Sequence, residues 1–148
     1  EVHKLPAPYY VGQTPLFAVA EAVEKKYRNG GLEGVEYYKD GVLFVGSQVQ
    51  ANLWQYRLDG TMLSKVSLAP FATEIAGLCY EPEQNLLWIT DSNAAKIFLC
   101  TPEGRLLAEY SVPFVENLES ICVDRERSCI WVASDVDQPK LYRLEFEF

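Results

Sequence analysis

Four carboxylates hold matched places in this chain. Glu33 and Glu119 each follow a leucine that opens an apolar run, and Asp91 and Asp135 each close one. Glu74 stands beside the corresponding opening in mid-chain, and Gln48 and Ser92 are neighbours of the same kind. Carboxylates gathered at one cavity mouth suit a hard divalent cation such as Ca2+, which takes about six to eight oxygen ligands. Glu33, Asp91, Glu119 and Asp135 are therefore the candidate metal ligands. Crowded together without a cation, the same groups would repel and some would hold protons. A purely architectural use stands beside this one. A glutamate at a strand entrance can accept backbone N–H bonds, and an aspartate at a strand exit can do so in an Asx-turn.

Other chemistry finds little material. His3 is the single histidine, so nucleophilic catalysis through a histidine base has no second candidate. No nucleophile elbow, phosphate-binding loop, dinucleotide fingerprint or HExxH pair is present. No catalytic and no cofactor-binding residue is assigned. The cysteines, Cys79, Cys100, Cys122 and Cys129, include no CxxC pair and no zinc-like spacing. They read as small buried hydrophobes, and no bridge is assigned to Cys122 and Cys129 across their turn.

The acids are positioned by a repeat. Leu32, Ile75 and Leu118 are 43 apart each time; Phe44, Trp88 and Trp131 recur at 44 and 43; Trp54, Phe98 and Tyr142 recur at 44 and 44. Each copy holds short runs rich in Val, Ile, Leu and aromatics, separated by Asp-Gly, Glu-Pro or Glu-Gly turns, which is strand and hairpin patterning. A period of this length made of short strands marks propeller blades. The expectation is an all-β chain of three four-stranded blades, 32–69, 75–112 and 118–148, a half-propeller. Fourth strands are expected at 63–68 and 106–112. The last copy reaches Phe148 just after its third strand.

Residues 1–31 form an N-terminal arm. Within it, 16–29 read either as a strand followed by a polar loop or as a short helix, with Pro15 in its first turn and Gly30-Gly31 ending it. The arm is a candidate for a closing strand. Three blades leave lateral sheet faces open, because a propeller needs about four or more to close. Self-association is one solution, and a two-fold dimer would bury both faces. Missing blades from a longer chain, or a half-ring capped by the arm, are the others.

Composition narrows the partners. The formal charge is −8 over 148 residues with 49% hydrophobic content, which fits a globular chain and argues against nucleic acid. No apolar run is long enough for a membrane span. The chain opens at Glu1 rather than methionine, so the lack of a basic-then-apolar leader decides nothing.

The segment Asn29-Gly30-Gly31-Leu32-Glu33-Gly34-Val35 resembles the blade opening in the second half of the SdiA-regulated family of six-bladed bacterial propellers, and Ile75-Ala76-Gly77 and Leu118-Glu119-Ser120 resemble its later openings. The likeness covers about residues 29–148. It extends more distantly to NHL, strictosidine synthase-like and gluconolactonase-like propellers. Ser120 and Ala76 depart from the pattern, and the family's first three blades have no counterpart. The resemblance implies a periplasmic or envelope-associated protein of uncharacterised activity, and the gluconolactonase-like relatives imply a central metal that polarises a carbonyl or phosphoryl oxygen. Two functions follow: a non-enzymatic module that binds a small-molecule or protein ligand, with Ca2+ at its rim, or a metal-dependent hydrolase of lactones or phosphoesters.

Overall fold

Each of the eleven strands of the described residues belongs to an antiparallel meander. The computed structural model describes Phe17, Val19 and residues 30–148. Expectations for His3 and for the rest of the 1–29 segment lie outside the described residues. The first sheet runs β1 (Leu32–Tyr37), β2 (Val42–Ser47), β3 (Asn52–Arg57), β4 (Met62–Ser67) in spatial order. The second runs β5 (Gly77–Glu81), β6 (Leu86–Asp91), β7 (Lys96–Cys100), β8 (Leu106–Ser111). The third holds β9 (Leu118–Asp124), β10 (Cys129–Ser134) and β11 (Lys140–Glu145), with β11 at its outer edge among the described residues. These are three blades of a half-propeller.

Turn chemistry sets the strand order. Asp40 and Gly41 both adopt positive φ, 52° and 74°, the pair that a tight hairpin twisted like its strands demands. Gly60 and Gly104, at φ 88° and 82°, close the third-to-fourth hairpins. There Gly60 N–H donates to the Arg57 carbonyl and Gly104 N–H to the Thr101 carbonyl, at 2.9 Å each.

The period-two alternation of each strand splits its residues between two interfaces. Phe44 and Leu53 of the first sheet meet Leu78, Leu87, Ile89 and Phe98 of the second in one core. Trp88 and Ile97, from the opposite face of the second sheet, meet Ile121, Ile130 and Val132 of the third in another. A large apolar side chain buried this fully contributes about 1.5–3 kcal/mol, so each interface is a core in its own right. Close approach at the inner strands relies on glycine. A Cβ on Gly77 would stand 2.8 Å from the Glu119 carbonyl oxygen and 3.0 Å from Ser120 Cα.

Of the three tryptophans, which hold places in the repeat period, Trp54 and Trp88 are fully buried. Trp131 is only half-buried. Its strand register places it opposite Cys122 and Arg143, on the face of the third sheet turned away from the second. Cys122, expected inside, is exposed on that same face for the same reason. All four cysteines are free thiols. Burial pushes Cys79 up to about 11 and Cys100 up to about 12, far from reactive thiolates.

Candidate functional site

At one end of the blades, the starts of the inner strands meet the ends of the second strands. Leu32 pairs with Ser47, Gly77 with Thr90, and Leu118 with Ser134. Loops cross this rim from sheet to sheet. Ile75 N–H donates to the Ser47 carbonyl at 3.0 Å, and Ser92 Oγ reaches Asn117 Oδ1 at 3.4 Å. Asn117 Nδ2 in turn donates to the Asp135 carbonyl at 2.5 Å.

Asp91 is fully buried, and its carboxylate is occupied. It accepts Thr73 N–H at 2.6 Å, Thr73 Oγ1–H at 2.8 Å, Ala94 N–H at 2.8 Å and Glu74 N–H at 3.4 Å. One side chain thereby ties the loop entering β5 to the turn leaving β6. The architectural use of a strand-exit aspartate accounts for every bond Asp91 makes here.

Glu74 is also buried, and its Oε1 accepts Asn93 N–H at 2.9 Å. Burial holds its carboxyl above the usual carboxylate range and the charge of Asp91 adds to this, while the Asn93 and Ser92 amides and the Gln48 side chain pull it down. Glu119 is half-buried. It too is raised, first by burial and then by the negative charges of Glu74, Glu33 and Asp135; the Ser92 hydroxyl works against this. Glu33 and Asp135 are exposed.

The rim therefore collects Glu33, Glu74, Glu119 and Asp135 into one electrostatic neighbourhood, with Asp91 beneath them serving the loops. Among the described residues, no group of three or more His, Cys, Asp and Glu side chains converges closely enough to hold a metal ion. With Asp91 bonded to four donor groups, these side chains do not fit a Ca2+ cage. Thr73 and Asn117 are working parts of the rim that the repeat did not single out. The available signal was Glu74 itself: it precedes Ile75, whereas Glu33 and Glu119 follow their leucines and Ala76 takes the matching place.

No protein-family model matches the chain, and no curated protein matches its sequence. Solved structures do. The chain is similar to one in the crystal structure of a nidogen/laminin complex, with 17% identity, a TM-score of 0.58, and coverage of 76% of this chain and 43% of that one. It is similar to the crystal structure of Myxococcus xanthus glutaminyl cyclase, also at 17% identity and a TM-score of 0.58, over 80% of this chain and 49% of that one. The chain spans under half the length of both. Identity this low speaks for the fold alone: the chain is built of β-propeller blades.

Proposed function

We propose that this chain is a non-catalytic binding module of propeller blades whose acidic rim receives a positively charged segment of a partner. The observation that carries the reading is the set of Glu74, Glu33 and Asp135 around Glu119, whose carboxyl is raised first by burial and then by their negative charges. The ion pairs of the described residues, Lys96–Glu109, Arg125–Glu81, Arg127–Asp124 and Arg143–Glu145, involve none of these four acids. A cationic side chain seated among them would relieve the repulsion. A similar propeller structure was solved as a nidogen/laminin complex, which is in keeping with a protein-binding use. The opening at residues 29–35 supports the narrower placement in the SdiA-regulated family. The hydrolase reading loses support because Asp91, one of its four residues, is spent on loop donors.

Calorimetric titration with a lysine-rich peptide and a glutamate-rich peptide of equal length tests the proposal. Heat with the first alone, weakened by salt and by the triple change Glu33→Gln, Glu119→Gln, Asp135→Asn, is expected. Equal response to both peptides, or none, would overturn it. A parallel titration with Ca2+ is expected to give no heat and no rise in Tm.

A further inference from the structure

The two ends of the blade stack are complementary, and the observations that show it are independent of the rim. At the third sheet, β11 has no outer neighbour among the described residues, whereas β3 and β7 are covered by β4 and β8. Beside β11 lies a cavity of about 410 Å³ lined by Ile97, Tyr110, Val112, Ile130, Leu144 and Phe146 among others. It opens between β8 and the edge of the third sheet, where a fourth strand would lie.

At the opposite end, the face of the first sheet turned away from the second is covered by Phe17 and Val19. Val19 is buried with Val45, Trp54 and Tyr56, and the Phe17 ring stacks on Tyr56 at 5.3 Å. The turn glycines identify what Phe17 is. Gly60 and Gly104 are equivalent residues, 44 apart. The space where a Cβ would stand on Gly104 is bounded by Val66 at 2.8 Å and Leu68 at 3.0 Å, from the fourth strand of the preceding sheet and the residue that follows it. The same space on Gly60 is bounded by Phe17, at 2.9 Å. Phe17 and Val19 therefore bear on the first sheet as Val66 and Leu68 bear on the second. They hold the place of a fourth strand whose first three strands belong to a sheet further on around the ring.

We infer that this sheet is β9–β11 of a second copy of the chain. Two copies, each lending the segment that carries Phe17 and Val19 to the β11 edge of the other, complete a four-stranded blade at each junction and close a ring of six. Within one copy the described sheets cannot do this. Its sheets stack in the order first, second, third, and Phe17 lies on the far side of the first. An edge strand beside an apolar slot is a ready acceptor for such strand addition, and the exchange is reciprocal, as a two-fold pair requires.

The test is sedimentation of the intact chain, combined with amide exchange and a competing peptide of residues 14–22 (Thr-Pro-Leu-Phe-Ala-Val-Ala-Glu-Ala). The expected mass is twice 16.8 kDa. Amides of 140–145 should exchange more slowly as the pair forms. Excess peptide should halve the mass while keeping those amides slow, and the same peptide carrying Phe17→Asp and Val19→Asp should do neither. A single-chain mass at every concentration would overturn the inference. So would an open-ended series of larger species, or a pair in which neither the peptide nor association alters exchange in β11.

Discussion

Arg125, in the turn between β9 and β10, grips Glu81 of β5: Nε lies 2.5 Å from Oε1 and Nη2 lies 3.1 Å from Oε2. The same carboxylate accepts Trp88 Nε1–H at 2.5 Å, and the guanidinium lies over the Phe148 ring at 4.2 Å. With side-chain exposures of 10% for Glu81 and 32% for Arg125, this is a largely desolvated link between two sheets, at the end of the blades away from the acidic rim. Removing one partner strands the other. Arg125→Ala is expected to lower unfolding free energy by about 2 kcal/mol, read as a fall in the urea midpoint. Glu81→Ala should cost at least as much, because Trp88 loses its acceptor as well.

Asp91→Asn keeps the shape of the side chain but turns one acceptor into a donor facing N–H groups. Hydrogen bonds to a charged group contribute about 1.5–3 kcal/mol each, and several are disturbed at once. A loss of at least about 2 kcal/mol is expected in chemical denaturation. The loss should be the same with Ca2+ or with a chelator, since the role derived for Asp91 is to hold loops.

The pH dependence follows from Glu74 and Glu119. Both carboxyls are raised in the folded state, chiefly by burial, so the folded chain binds more protons than the unfolded chain in the interval between the two states' values. Stability contributed by these groups is thus greatest at low pH and falls as pH rises through the carboxylate range into the raised folded values. Glu119→Gln removes that penalty. It is expected to raise Tm at neutral pH and to flatten the decline across that interval, and a Tm series over pH against the parent chain measures both.

Gly77→Ala places a methyl group against the backbone of β9, where Glu119 O and Ser120 Cα stand at 2.8 and 3.0 Å. Backbone cannot step aside as a flexible side chain can. Overpacking of this kind costs about 1–3 kcal/mol, and a lower denaturation midpoint is expected. Gly31→Ala meets nothing within 4 Å and serves as the control.

The repeat carried the architecture because strand alternation and turn residues are local signals. The fourth strands expected at 63–68 and 106–112 appear at Met62–Ser67 and Leu106–Ser111. What stayed hidden depends on a neighbour outside the same copy of the repeat. Asp91 reads as a rim acid until Thr73 and Glu74 are seen to donate to it. Trp131 shares its period with buried Trp88, yet its exposure is set by what packs on the third sheet, which no residue of that repeat encodes. The arm could be read as a closing strand from sequence, but the match of Phe17 to Val66 shows only in the glycines that the two cover.

One consequence concerns light rather than binding. The chain's three tryptophans fall one to a sheet, Trp54 in β3, Trp88 in β6 and Trp131 in β10, so each blade has its own emitter. Trp54 and Trp88 are sealed from solvent, whereas Trp131 is partly wetted and should glow at longer wavelength. Single-tryptophan versions of the chain would let the melting of each blade be followed in its own colour. Covering the outer face of the last blade would shift one lamp and leave the other two unchanged.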